Sequence, residues 1–381
     1  MNSVLQAPPG AACDGVAPAR RPVARPEPPA SRRGPVSGAC GAAALTTAWL
    51  WRWPEQAWRS GLTLVLGTSL WLVQTAAQAA EAVTIAGTPH VRLADWAREK
   101  GLTVNWVRPD KVLQLGRSGV RMVLNVNSRE AEVNSVRVWL LFPAIQYQGR
   151  MYLSQLDVKT TLEPLLSPPR QASGARIRTI CLDPGHGGAD PGHQTGSRQE
   201  KACTLLLAEE LRQQLVQAGF RVTLTRTRDT AVDLSARTKL ANSRKADLFL
   251  SLHFNGTDGG RDSVQGTEVY CLTPAGASST NARGNGGDTR ATAGNAMDAK
   301  NLLLAYHVQK ALVQGLRAED RGVRRARFAV LREAAMPAAL IEAGFMSHPV
   351  EGRKILSASH RRAIAKAIVS GVQAYRRAVG G

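Results

Sequence analysis

Ile177-Arg-Thr-Ile-Cys-Leu-Asp-Pro-Gly-His-Gly-Gly188 reads as a short apolar strand running straight into a turn. Pro184 and the glycines force the turn, and their small size lets a ligand or metal come close to the backbone. His186 stands at its tip. A helix is expected over 200–218, with Leu205, Leu206, Leu211 and Leu215 at helical spacing and Gly219 as its stop. The alternation then continues to the end of the chain. Strands are expected over 221–225, 247–253, 266–272, 328–332 and 338–342, and helices over 234–243, 299–316 and 358–378. Repeated strand–helix units predict an α/β domain, a mostly parallel twisted sheet flanked by helices on both faces. Ligands of such sheets gather beyond the carboxyl ends of the strands.

Three segments meet at that rim. His186 follows the first strand, Glu200 opens the next helix, and His253 ends Ser251-Leu-His-Phe-Asn255. Each has an ordinary reading: a solvated loop histidine, a first-turn carboxylate favoured by the helix dipole, a core histidine with satisfied nitrogens. Together, two imidazoles and a carboxylate make the ligand set of a catalytic zinc site, and the absence of thiolates argues against a structural one. Glu342, in Leu340-Ile-Glu-Ala-Gly-Phe-Met-Ser347, closes the last strand. A carboxylate there is costly to bury unless paired or used, and beside a metal it could take a proton from an attacking water. His193 competes with Glu200 as a ligand but sits in an irregular Gly-rich loop. His348 is expected to be structural or to face substrate, and Asp183 to brace the turn or a ligand histidine.

Outward from this domain, the chain has 381 residues and 44% hydrophobic content, enough for two folded domains. Its 49 Lys and Arg against 29 Asp and Glu give a net charge of +20, so an anionic partner is expected. Five cysteines, at 13, 40, 181, 203 and 271, show no paired Cys-x-x-Cys spacing. These figures exclude an acidic solvating protein, a multi-span membrane protein and a disulfide-dense miniprotein. Because 181, 203 and 271 are an odd set, at least one must stay unpaired within a monomer, and burial is the default.

Residues 1–79 read as a disordered Ala-, Pro-, Gly- and Arg-rich extension plus an export signal. Arg52 and Arg59 precede an apolar run over 61–73, and Ala77-Gln-Ala79 supplies a small-x-small exit. The run is short of the about 20 residues needed to span a bilayer, so no stable membrane anchor is expected. The protein is read as exported, to the periplasm or the cell wall outside. From 82 to 165, brief period-two segments at 103–106, 111–115, 121–126 and 136–140 predict a small strand-rich α+β domain. It resembles the copper amine oxidase N-terminal-like domain, although one histidine (His90) and no cysteine give it no metal set. A Pro- and Ser-rich linker occupies 166–175, and the catalytic domain 176–381.

Asp-Pro-Gly-His-Gly-Gly at 183–188, Glu-Lys at 200–201, Thr225-Arg226, Asp229, Arg237, Ala-Asp at 246–247, Ser-Leu-His-Phe-Asn at 251–255 and Glu-Ala-Gly-Phe-Met-Ser at 342–347 resemble, in order and spacing, the zinc-dependent N-acetylmuramoyl-L-alanine amidases. The resemblance implies Zn2+ held by His186, Glu200 and His253, with Glu342 as the catalytic carboxylate. The implied reaction hydrolyses the amide between N-acetylmuramic acid and L-alanine in peptidoglycan, releasing stem peptides during wall remodelling or daughter-cell separation. Where family members often have Asn after Met-Ser, this chain has His348-Pro349. Some members carry a helix that blocks the zinc until a partner removes it. The matching insertion, 273–298, is Ala, Gly, Ser, Thr and Asn with almost no large apolar residue, a poor helix former. An open loop is expected there, and an activator protein is not indicated.

The alternatives are a zinc peptidase cutting within the stem peptide and a non-catalytic wall-binding protein. A glycosidase would want aromatic platforms for sugar rings, yet all eight Trp lie at or before 139. No Lys/Arg recognition helix or basic–aromatic sheet supports nucleic acid as the partner. Residues 1–79 hold seven Arg and three acidic residues, which leaves about +16 for the exported chain to direct at carboxylates of the wall.

Overall fold

The computed structural model describes residues 82–171, 176–280 and 289–380. The expected extension and export signal at 1–79 lie outside them. The N-terminal section begins with β1 (Val83–Ile85), β2 (Thr88–Arg92) and α1 (Leu93–Glu99). An antiparallel meander follows: β3 (Thr103–Arg108), β4 (Val112–Arg117), β5 (Val120–Asn125), β6 (Ser128–Val133) and β7 (Val136–Tyr147). It closes with β8 (Arg150–Ser154), α2 (Gln155–Asp157), a π-helical turn Val158–Leu162 and α3 (Glu163–Leu166). Alternation sets its faces: Leu113, Leu115, Met122, Leu124, Val136, Val138 and Leu140 are all buried. Asn134 and Ser135, both at positive φ, make the two-residue turn between β6 and β7. Asp157 is fully buried and accepts from the Leu141 and Phe142 amides and the Ser154 and Thr161 hydroxyls, which pins β7 to the helical segment.

The second section runs β9 (Thr179–Pro184), the small hairpin β10 (Gln194–Thr195) and β11 (Arg198–Gln199), α4 (Glu200–Gln217), β12 (Arg221–Leu224), α5 (Leu234–Ser243), β13 (Leu248–Asn255) and β14 (Thr267–Leu272). It continues with α6 (Asp298–Leu316), β15 (Asp320–Ala326), α7 (Ala329–Arg332), β16 (Ala338–Phe345), α8 (Glu351–Ile355) and α9 (Ala358–Ala378). Strands order as β12-β9-β13-β16-β14-β15-β7-β6-β5-β4-β3. The first four are mutually parallel, and β14 runs antiparallel to β16. β15 is parallel to both β14 and β7, meeting β7 at Val323 and Val138, so the meander extends the same sheet.

Alternating residues divide this sheet into two faces. Ile180, Leu182, Leu250, Leu252, Val269, Val323, Ala339 and Ile341 share one buried cluster with Leu207 and Leu211 of α4, Leu302 and Leu304 of α6, and Ile364 and Ile368 of α9. Cys181, Phe249, Tyr270, Leu272 and Leu340 pack on the other face against Ala241 of α5 and Val330 and Leu331 of α7. Helices thus cover both faces, as the strand–helix alternation predicts. Cys181, Cys203 and Cys271 are free and buried.

One expected strand is different. Residues 328–332 form a helical turn, and the strand lies earlier, at Asp320–Ala326. Arg321, Arg324 and Arg325 break any apolar alternation in β15, yet Arg325 is fully buried. Its Nη2 donates to the Thr160 carbonyl at 2.6 Å and lies 3.2 Å from the Thr161 hydroxyl, across from the N-terminal section. In the insertion 273–298, the described residues contain a 3-10 turn at Ala293–Met297, closed by a capping box between Thr292 and Asn295. Among the described residues, no helix is long and apolar enough to cross a membrane.

Candidate active site

The loop after β9 is held by buried arginines. Arg226 donates to the carbonyls of Pro184 and Gly185, and Arg237 to those of Pro184 and His186. Asp183 is buried and accepts from Thr225, Arg237 and Ser251, so it braces this turn. These contacts keep His186 in the left-handed region at φ 62°, where non-glycine residues are uncommon. Gly185 has a specific reason to be glycine: a Cβ there would stand 2.3 Å from the His253 ring.

Glu200 is the first residue of α4 and completely buried. Oε1 lies 3.0 Å from His253 Nδ1 and Oε2 3.1 Å from His186 Nε2. The backbone amides of His193 and Phe254 donate to the same carboxylate at 2.9 and 3.1 Å. The two imidazole rings stand edge-on, 4.9 Å apart. Among the described residues, His186, Glu200 and His253 form the one group of such side chains whose donor atoms all fall within 4.8 Å of one another. His186 Nδ1 contacts Asp190 Oδ2 at 2.8 Å, which orients the ring. Its other nitrogen, Nε2, is buried with no aligned hydrogen-bond partner although Glu200 is close. A nitrogen so placed is what a metal ligand needs.

The electrostatics divide sharply. Burial opposes charge on Glu200, but contacts to His186 and His253 prevail and hold its carboxyl well below the usual carboxylate range. At His186 burial works against protonation, while Glu200 and Asp190 outweigh it and raise the proton affinity. Glu342 ends up on the opposite course. It is the Cα partner of His253 across β13 and β16 and is 2% exposed. Its Oε2 is buried without a partner. Burial, then the charges of Glu200 and Glu268, push its carboxyl well above the usual range. A carboxyl so placed holds a proton more readily than an exposed one.

The other sequence candidates fall outside this group. His193 has its Nε2 3.1 Å from the Thr195 hydroxyl and meets Glu200 through its backbone, its amide donating to the carboxylate and its carbonyl accepting from the Glu200 amide. His348 is buried, and its Nδ1 accepts from the Glu351 amide at the start of α8. Two participants went unread in the sequence. Asp190 was signalled by a carboxylate four residues past a loop histidine, and Glu268 by an acid inside the apolar run Thr267-Glu-Val-Tyr-Cys-Leu272.

Comparison with known proteins gives a consistent set. A family description, N-acetylmuramoyl-L-alanine amidase, matches residues 180–374. The amidase AmiC of Neisseria meningitidis serogroup B is 36% identical over 231 residues, covering 54% of this chain and 55% of that protein. AmiA of Escherichia coli K12 is 33% identical over 234 residues, covering 55% of this chain and 80% of that protein. This chain therefore spans about half the length of the first relative and most of the second. The crystal structure of an N-acetylmuramoyl-L-alanine amidase from Clostridium difficile 630 is 34% identical, covers 53% of this chain and 97% of that one, and aligns with a TM-score of 0.45.

Proposed function

We propose, from the premise that this chain belongs to the N-acetylmuramoyl-L-alanine amidase family, that it is a zinc amidase hydrolysing the bond between N-acetylmuramic acid and L-alanine in peptidoglycan. The observation that carries the reading is the His186–Glu200–His253 group with Glu342 paired to His253 on the adjoining strand, its Oε2 buried without a partner. The donor set suits zinc: two imidazoles, one carboxylate held ionised, and one imidazole nitrogen left over. When bound, zinc would polarise the scissile carbonyl and lower the pKa of water.

The chain's own residues do the rest. Asp190 fixes the His186 ring, and the His193 and Phe254 amides fix Glu200, so the donors are oriented before any ligand arrives. Glu342 takes a proton from the attacking water and delivers it to the departing amine, a transfer favoured by its raised proton affinity. The chain's division into presequence (1–79), accessory section (82–165), linker (166–175) and catalytic section (176–381) is part of this proposal, as is export to the wall. In the accessory section, His90 is buried with Nδ1 against the Thr88 carbonyl.

Digestion of purified peptidoglycan with and without a chelator tests it, with products read by mass. Free stem peptides beginning at alanine, lost with chelator and restored by zinc, are expected. Cuts inside the stem would replace this reading with a peptidase, and no cleavage by the zinc-loaded chain would remove enzymatic function altogether.

A further inference from the structure

The sheet face that presents Glu342 continues away from the three donors. Next to Glu342 comes Glu268 of β14, its Cα partner. Beyond it comes Arg324 of β15, opposite Tyr270 with its side chain turned back to Glu268, and then Trp139 of β7. This last residue comes from the N-terminal section. It brings an indole ring to the catalytic half, whose own residues contain no Trp.

Both oxygens of Glu268 have hydrogen-bonding or cationic neighbours. Oε1 accepts from Asn255 Nδ2 at 2.8 Å and from the Tyr270 hydroxyl at 2.9 Å. Oε2 lies 2.8 Å from Arg324 Nε and 3.4 Å from Arg321 Nε. One carboxylate therefore faces two guanidiniums. The other acid paired with either, among the described residues, is Glu319, about half exposed and 3.9 Å from Arg321 Nη1. Among the described residues, the two Nη groups of Arg324 donate to no protein acceptor. Neutralising Glu268 needs one cation; this arrangement holds two and leaves the fork of one of them open.

Both guanidiniums are also held in fixed planes. Arg324 stacks on the Trp139 ring at 4.7 Å, and Arg321 on the Phe345 ring at 4.9 Å. Trp139 Nε1 donates to the Arg321 carbonyl at 2.9 Å. Gly322, at φ +94°, makes room for the indole, since a Cβ there would stand 3.0 Å from Trp139 Cδ1 and Nε1. The two arginine side chains remain 14% and 16% exposed. A stacked guanidinium with a free edge is the arrangement that recognises a planar anion.

Position supplies the ligand. Adjacent strands lie about 4.8 Å apart and an extended peptide advances about 3.3 Å per residue. The forks therefore sit about one to three residues of peptide from a bond placed at Glu342. We infer that Arg324 and Arg321, walled by Trp139, form an anion subsite for a carboxylate of the stem peptide one to three residues from the scissile amide. This rests on the amidase reading and gives the N-terminal section a direct part in substrate choice. The same chemistry makes amidated stem peptides, which lack that charge, the poorer substrates.

The test uses the zinc-loaded full chain and muropeptides of one sequence, with stem carboxylates either free or amidated. Charged hydrogen bonds of this kind commonly change affinity by about ten- to a hundredfold, so kcat/KM should favour the free acid by about tenfold or more, mainly through KM. Arg324→Gln should bring the two substrates to near equality, Arg324→Lys should restore part of the preference, and Trp139→Phe should weaken it while keeping a stacking ring. Calorimetric binding of the product peptide, free against amidated, reads the same discrimination without turnover. Equal use of both substrates and equal binding of both peptides by the unaltered chain would overturn the subsite. So would an Arg324→Gln variant, folded by circular dichroism, that loses both substrates by one common factor, since Arg324 would then only brace Glu268. If the unaltered chain cleaves neither substrate, the amidase reading fails, and the peptide-binding comparison still decides the subsite.

Discussion

The two faces of the central sheet are made from the same strands and both bury apolar layers, but only one of them also carries the site. In β16, Ala339, Ile341 and Ala343 belong to the apolar layer under α4, α6 and α9, whereas Glu342 between them opens on the site. In β13, Leu252 and Phe254 flank His253 in the same way. Side chains of a strand point alternately to opposite faces, so one segment can fill a core and present a reactive group without either task weakening the other. The face under α4, α6 and α9 is apolar alone, whereas the other carries both a core and the reactive groups, so mutations on the first should change stability without changing chemistry.

The largest effect is expected at Glu342. Glu342→Ala should lower kcat by about 10²–10⁴-fold while zinc content, read by metal analysis, stays at one per chain. Thermal stability should hold or rise, because the change removes a buried carboxylate that has no partner and lies near two others. Full activity in this variant would sink its role, and a folded variant without zinc would move Glu342 into the ligand set. The opposite face should give the opposite result. Ile368→Ala, on α9 and fully buried, should cost about 2–5 kcal/mol of folding stability in denaturant titration, with activity per folded molecule unchanged.

Asp190 lies between these extremes. It is exposed, yet it holds the His186 ring through Nδ1. Asp190→Asn should weaken zinc binding by about 10–100-fold in competition with a chelator, with little loss of folding stability. Equal zinc affinity in the two proteins would leave Asp190 as an ordinary loop acid.

The difference between the faces also explains what could be read from sequence. Strand ends that carry His186, His253 and Glu342 interrupt apolar runs, and a polar residue at the end of such a run is visible without knowing the fold. Helix starts are visible too, which is why Glu200 stood out. β15 was obscured by Arg321, Arg324 and Arg325, whose charges are tolerated only because Glu268, Trp139 and the Thr160 carbonyl await them from distant segments. The junction of β15 with β7 was beyond the sequence for a related reason. Period-two alternation says that Val138 faces a core, but edge pairing depends on which edge is left free once the rest has folded.

The smallest effect concerns the helices over the apolar face. His307 of α6 stands edge-on to Tyr306, and burial, then the neighbouring charges of Lys310 and Arg377, pull its imidazole down to about 4 from an ordinary 6.5. The folded chain thus keeps this ring neutral where the unfolded chain takes up a proton. Its contribution to stability is intact above pH 6.5 and is lost as pH falls from there towards 4. The ring is partly exposed, so the loss is of order 1 kcal/mol. His307→Gln should flatten the decline of stability over that interval and leave stability at pH 8 nearly unchanged, as measured by denaturant midpoints. An unaltered slope would place the acid sensitivity elsewhere. A parallel shift in the pH dependence of hydrolysis would show that the apolar face does communicate with the site, against the separation that the alternating strands impose.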